Sequence, residues 1–224
     1  MKIAVYTIAL NEEQFVERWA ESCKDADYRF ILDTGSTDGT IAKATAAGVT
    51  VLTGSIKPWR FDDARNVSFG LLPDNNDYCI ALAMDEVLAP GWRESLEKAT
   101  TTRPRYKYTW SWNGDKPGLQ YGGDKIHKRH GYRWKHPVHE VLTADRIEET
   151  QEWIDLEIHH HPDNSKPRSQ YFPLLALSVY EDPYDDRNAY YYARELYFNA
   201  RLEEAAVEFK RHLSLPTAKW PAER

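Results

Sequence analysis

The chain has 224 residues, 42% hydrophobic and 29% charged, and its 35 acidic against 29 basic side chains leave a net charge of -6. That length accommodates one α/β domain of ordinary size with a small appendage, and the acidic balance excludes generic nucleic-acid binding by the whole surface. Two cysteines far apart in apolar segments, Cys23 and Cys79, exclude a disulfide framework or a cysteine zinc site and predict buried thiols.

Lys2 to Leu10 is a continuous apolar run with β-branched residues, the pattern of a strand buried on both faces. It is too short for a signal peptide, and no segment reaches bilayer-spanning length, so the expected compartment is the cytoplasm. After Asn11-Glu12-Glu13, apolar residues from Phe15 to Cys23 recur at helical spacing. A second strand, Tyr28 to Leu32, a helix around Ile41 to Ala47 and a third strand, Val49 to Leu52, complete a pattern of parallel crossovers. Next come a helix over Phe61 to Leu72, a strand over Tyr78 to Ala83 and a helix from Trp92 to Ala99.

The period then changes. Tyr106 to Trp112 places an aromatic ring at every second position, as in a half-exposed antiparallel strand. Strand-like pieces follow at Gln120 to Lys128, Tyr132 to Trp134, Val138 to Leu142 and Trp153 to His159. The tail reads as helices over Arg168 to Tyr180, Arg187 to Asn199 and Leu202 to Leu213. The expected organisation is a doubly wound α/β domain over 1–165 and a helical tail over 166–224.

Ligands of open parallel sheets bind beyond the carboxyl ends of the strands. The first strand ends there in Thr7, Ala9, Asn11 and Glu12, the second in Asp33, and the fourth in Met84, Asp85 and Glu86. A carboxylate such as Asp33 at the end of an apolar strand is costly unless paired, and a base-edge N–H is a suitable partner. Asp38 reads instead as a helix cap. Asp85 suits a hard divalent cation that neutralises a diphosphate, whereas Glu86 serves equally as a helix-start acid. Arg60 and Arg65 suit a diphosphate or an ion pair with Asp62 or Asp63.

Farther along, an extended His136-Pro137-Val138-His139-Glu140 would point His139 and Glu140 to opposite faces. His139 is then a candidate metal ligand and Glu140 a candidate general base. Of the adjacent His159, His160 and His161, at most one can serve a given ion.

These pieces together resemble the family 2 inverting glycosyltransferases of GT-A fold, and more narrowly the bacterial and phage group with a tetratricopeptide-like tail. The matching segments are TIALNEE, LDTGSTDGT, WRFDDARNVSF, AMDEVL, HPVHEVL and a tail in which Ala193, Leu196, Tyr197, Ala205, Phe209 and Pro216 fall at repeat positions. The resemblance implies a nucleotide-diphosphate sugar donor, usually uridine-linked, with Mn²⁺ or Mg²⁺ bridging its phosphates. Carried over by position, Thr7, Ala9, Asn11 and Glu12 line the nucleoside, Asp33 binds the base, and Arg60, Arg65 and Met84 join the donor contacts. Asp85 is the last acid of the metal-binding Asp-x-Asp motif, His139 a metal ligand and Glu140 the base. The chain departs from the motif at Ala83, where the family carries its first acid.

The expected acceptor is a glycan or lipid-linked glycan. The basic, ring-rich stretch from Arg103 to Lys135 raises hydroxylated bases of nucleic acid as an alternative, against a solvated face over the core. A non-catalytic nucleotide-sugar-binding or scaffold protein is the alternative of another class, and Ala83 is its supporting feature. A nucleotidyltransferase is disfavoured, because no glycine-rich, lysine-bearing loop follows the first strand.

Overall fold

The computed structural model describes residues 1–163 and 171–218. Its elements run β1 (Ile3–Ala9), α1 (Val16–Ser22), β2 (Tyr28–Asp33), α2 (Thr40–Ala46), β3 (Thr50–Thr53), α3 (Phe61–Gly70), β4 (Tyr78–Ala81), β5 (Glu86–Leu88) and α4 (Trp92–Leu96). Then follow β6 (Arg105–Thr109), β7 (Trp112–Asn113), β8 (Lys116–Pro117), β9 (Gln120–Gly123), β10 (Ile126–Lys128), β11 (Tyr132–Lys135), β12 (Val141–Ala144) and β13 (Trp153–His160). The helices α5 (Tyr171–Glu181), α6 (Asp186–Phe198) and α7 (Leu202–Ser214) complete the chain. The expected helix start at Arg168 lies outside the described residues.

Two compact units result. The first takes in Met1–Trp59, Asp63–Lys135 and the chain from Val141 to the end of the β-rich part. The second takes in Arg60–Asp62, His136–Glu140 and the three C-terminal helices.

In the first unit a five-stranded sheet has the order β10-β4-β1-β2-β3, with β4, β1, β2 and β3 parallel and β10 antiparallel at the edge. Strand alternation gives it two cores. Ile3, Val5, Ile31 and Ile80 pack with Trp19 and Ala44 on one face, while Ala4, Tyr6, Phe30 and Cys79 pack with Phe69, Leu72 and Trp134 on the other. Burial on both faces explains the unbroken apolar run of β1. Cys23 and Cys79 are free and buried, and burial pushes both thiols up to about 12.

A second, four-stranded sheet has the order β5-β13-β6-β9, with β13 parallel to β6 and antiparallel to β5. The piece read as one strand from Gln120 to Lys128 is in fact two strands in different sheets, β9 and β10. The break falls at Asp124, where Arg103 Nε donates to the Asp124 carbonyl and Nη2 to its carboxylate. Gly123 just before it accommodates the Tyr106 ring, which would lie 2.1 Å from a Cβ there.

Buried polar groups in the second core form a satisfied chain. Trp134 Nε1 donates to the Tyr6 hydroxyl at 2.9 Å, and that hydroxyl lies 3.0 Å from His127 Nε2. His127 Nδ1 lies 2.8 Å from the Lys128 carbonyl, which makes Nδ1 the donor, Nε2 the acceptor and the ring neutral. Burial, with the charges of Arg103 and Arg129, lowers this imidazole to about 3. The folded protein therefore resists a proton that the unfolded chain accepts. Stability should be unaffected by His127 above pH 6.5 and should fall between pH 6.5 and 3, at up to about 1.4 kcal/mol per pH unit. Urea titrations of wild type and His127→Gln should show the shallower acid slope in the variant.

In the second unit α6 and α7 form an antiparallel pair, with α5 against α6. Asp185 caps α6 by accepting from Asn188 N at 2.7 Å. Ala193, Leu196 and Ala205 are buried, whereas Tyr197 is exposed. His136 to Glu140 is not extended: the structure corrects that reading. His136 and His139 both take left-handed backbone conformations, with φ of 80° and 51°, so the alternation rule does not apply. Hydrogen bonds from Phe61 N to the Pro137 carbonyl and from Arg187 to the His139 carbonyl hold the segment.

Candidate functional site

The order 3-2-1-4 reverses direction between β1 and β4, so the binding crevice of the parallel sheet falls at their carboxyl ends. Two loops are cross-braced there. Asn11, with φ of 54°, donates its backbone N–H to Ser36 Oγ at 2.8 Å, and its Oδ1 accepts from Thr37 N at 2.8 Å. Glu12 N donates to Thr40 Oγ1 at 2.7 Å, and Glu13 accepts from Gly39 N at 2.9 Å. Asp38 accepts from Thr40 N at 3.0 Å and from Glu13 N at 3.2 Å, so it ties both loops to the start of α2. Thr34 donates through its N–H and hydroxyl to the Ala9 carbonyl. Thr7 and Ala9 are buried within the strand, and the Thr7 carbonyl accepts from Ser68 of α3.

Asp33 ends β2 with no exposed surface. Its Oδ1 accepts from Gly35 N at 3.0 Å and Ser36 N at 2.9 Å, whereas Oδ2 has no hydrogen-bond partner. A buried carboxylate oxygen without a donor is costly, and a ligand N–H would relieve it.

Beyond β4, the turn Ala83–Glu86 separates two adjacent acids by environment. Glu86 is 1% exposed and saturated: Oε2 accepts from Ala83 N at 2.7 Å, and Oε1 from Tyr108 Oη at 2.6 Å and Lys125 Nζ at 2.7 Å. Burial raises its pKa, but Lys125 and the Tyr108 hydrogen bond outweigh burial and keep it ionised. Glu86 is thus a structural ion-pair partner. Met84 is packed in the core at 2% exposure, which leaves only its backbone for contact with a donor.

Asp85 is partly exposed, and its Oδ2 lies 3.2 Å from His160 Nε2 on β13. The other imidazole nitrogen, Nδ1, lies 3.0 Å from the Trp110 carbonyl. The imidazole is thus anchored through Nδ1 to a backbone carbonyl, with Nε2 facing the Asp85 carboxylate. Burial opposes charge on both partners. Their mutual hydrogen bond and charge outweigh it, lowering the Asp85 carboxyl and raising the His160 imidazole. Of the three adjacent histidines, His160 pairs across the sheet with Glu86 and lies beside Asp85.

Arg65 stacks its guanidinium on Trp134, 5.0 Å from the ring centroid, and Asn66 pairs with both backbone groups of Trp134. The other sequence candidates lie in the second unit. Arg60 is bidentate with Asp62 and also bound to Glu181, so the ion pair weighed for it is present. The His139 ring stacks on Tyr191 at 4.2 Å and meets Tyr171 edge-on. Glu140 is the last residue of its segment of that unit.

Among the described residues no group of three or more His, Cys, Asp or Glu is placed to hold a metal ion. Asp85 and His160 offer one oxygen and one nitrogen. The Asp85 carboxylate fits Mn²⁺ or Mg²⁺ bound mainly through ligand phosphates and water, a mode that needs only one or two protein carboxylates; the imidazole beside it is a softer donor. No described helix is long and apolar enough to cross a membrane.

No protein-family model and no curated protein matches the chain. Among solved structures, one described as a mycobacterial protein aligns with a TM-score of 0.54 at 18% identity, covering 77% of this chain and 70% of that one. Glucosyl-3-phosphoglycerate synthase from Mycobacterium tuberculosis, in complex with Mn²⁺, uridine diphosphate and glucosyl-3-phosphoglycerate, aligns at 24% identity with a TM-score of 0.39. That match covers 48% of this chain and 44% of the synthase, so the chain spans less than half of the synthase's length. At these identities the likeness is one of fold: a mixed α/β architecture with parallel and antiparallel sheets and a helical C-terminal region.

Proposed function

We propose that the chain is a metal-dependent glycosyltransferase that takes a sugar from a nucleotide diphosphate, uridine-linked by preference, and passes it with inversion to a hydroxyl acceptor. The observation that carries this reading is Asp33. Its fully buried carboxylate, at the carboxyl end of β2, keeps one oxygen without a donor, and the imide N–H of a base such as uracil supplies one. Asp85 and His160 are the residues that would hold the ion, which when bound neutralises charge on the departing diphosphate. Glu140 as the base that deprotonates the acceptor and His139 as a further ligand rest on the sequence resemblance, as do a cytoplasmic setting and a repeat-like tail.

Internal pairing favours a glycan acceptor over nucleic acid. Within the basic stretch, Arg103 pairs with Asp124 and Glu149, Lys107 with Glu157, Lys125 with Glu86, and Arg129 with Asp74. Cations already paired release little counterion on meeting phosphates, so four of the nine cations in the stretch contribute little drive for such binding.

Thermal denaturation against a panel of nucleotide sugars, with and without Mn²⁺, tests the reading. A ligand at a hundred times its Kd adds about 2.7 kcal/mol. One donor should stabilise the protein in the presence of metal, and Asp33→Ala should abolish the base-dependent part of the shift. Equal shifts for wild type and Asp33→Ala with every nucleotide would remove the reading's main support.

A further inference from the structure

We infer that the cleft beside the β7–β8 hairpin is the acceptor subsite and that it takes a neutral sugar ring rather than an anionic acceptor. This rests on the glycosyltransferase reading above and names the acceptor chemistry of that same site. The cleft measures about 630 Å³ and is lined by Ser111, Trp112, Gly114, Asp115, His161 and Pro162. That volume lies within the range of pockets for small organic ligands.

Its walls are tied to the Asp85–His160 pair by backbone hydrogen bonds. His161 N donates to the Asp85 carbonyl at 2.8 Å, and Trp112 Nε1 donates to the His160 carbonyl at 2.9 Å. The Trp110 carbonyl, one residue before Ser111, lies 3.0 Å from His160 Nδ1, so the cleft wall and the pair are adjacent.

The lining is chemically selective. Trp112 stacks parallel to His161, with centroids 5.4 Å apart and planes 3° apart, and meets His159 at 4.9 Å edge to face, so the indole is fixed in place at the cleft wall. The C–H face of a sugar ring is apolar and slightly positive, and the face of an indole is its electrostatic complement. Asp115, exposed at the hairpin turn, is an acceptor for adjacent hydroxyls. Ser111 Oγ accepts from Leu119 N at 2.9 Å, which leaves its hydroxyl hydrogen for a ligand. No lysine or arginine is among the lining residues, and the lysines of the neighbouring sheet, Lys107 and Lys125, are held by Glu157 and Glu86. A lining that holds a carboxylate and no lysine or arginine disfavours phosphorylated or nucleic-acid acceptors and favours a polyhydroxylated neutral one; Lys116, next to Asp115, is the exposed cation of the hairpin itself.

The hairpin is also preorganised. Gly114 takes φ of 63° at the turn, and Gly118 N donates to the Ser111 carbonyl at 2.8 Å. A Cβ at Gly118 would lie 2.7 Å from Ser111 Oγ, so that contact requires glycine.

Saturation-transfer NMR and calorimetry should be run on the full chain with Mn²⁺ and uridine diphosphate, using three probes: neutral methyl glycosides and disaccharides, 3-phosphoglycerate, and a short oligonucleotide. The expected result is binding of a neutral sugar alone, weakened about tenfold or more in Asp115→Ala, whose exposed turn position spares the fold. Trp112→Phe, which keeps a ring, should bind more tightly than Trp112→Ala. Trp153→Ala is the control, because Trp153 is 68% exposed, packs over Gly122 and is not among the cleft's lining residues. Binding of 3-phosphoglycerate or oligonucleotide in preference to sugars, or sugar binding indifferent to Asp115 and Trp112, would overturn the inference. Absence of any donor shift in the thermal assay would instead sink the glycosyltransferase reading while leaving the sugar-binding result to stand or fall by itself.

Discussion

Asp85→Ala should lower kcat/KM for sugar transfer by about a thousandfold or more and abolish metal-dependent donor binding. Under the proposed function it removes the carboxylate of the only candidate pair described above for the ion, and charge neutralisation by such an ion amounts to several kcal/mol. Its structural role is smaller: the side chain is partly exposed and makes one charge-assisted contact, to His160. The loss in stability should be about 1 kcal/mol. Steady-state kinetics and urea unfolding of the same preparation separate the two effects. An inactive protein whose stability has fallen by several kcal/mol would place Asp85 in the scaffold instead.

Glu86→Ala should show the opposite profile. It strips three donors, Ala83 N, Tyr108 Oη and Lys125 Nζ, of one buried acceptor. Breaking a buried ion pair from one side costs about 3 to 5 kcal/mol, and the lower end applies because Lys125 remains 29% exposed. Glu86→Gln should recover part of that loss, since an amide oxygen still accepts from one of these donors. Urea unfolding of both variants checks the order. A Glu86→Gln protein of unchanged stability without activity would mean that Glu86 belongs to the chemistry.

The contrast between these neighbours shows where sequence reading stopped. Residue type and position after β4 marked both acids as candidates, and nothing local separated them. Their environments differ because Tyr108 and Lys125, 22 and 39 residues along the chain, converge on Glu86 alone. The same holds for His160. Three consecutive histidines looked alike until the antiparallel register of β13 on β5 set His160 opposite Glu86 and its ring beside Asp85.

Periodicity read the parallel half closely. The apolar run of β1, the crossover spacing and the strand-ending Asp33 recur in the structure within a residue or two. These features are local: burial on both faces demands an apolar run, and helical spacing demands a face. Two readings failed where local pattern conflicts with distant contacts. Gln120 to Lys128 has strand-like residues throughout, but Arg103 gripping Asp124 turns the chain from one sheet to the other. His136 to Glu140 also looks extended, yet hydrogen bonds from Phe61 and Arg187 accompany left-handed turns at its two histidines.

The sequence by itself determined the α/β class, the order of the parallel crossovers, the burial of both cysteines and the strand ends at which carboxylates gather. All of these follow from apolar period and from the cost of burying charge. The tertiary structure alone decided which acid is buried and saturated and which is partly exposed, which histidine stands beside it, and that four of the nine cations of the basic stretch are paired internally. Those outcomes depend on partners many residues away, and no local pattern encodes which partner a folded side chain will meet.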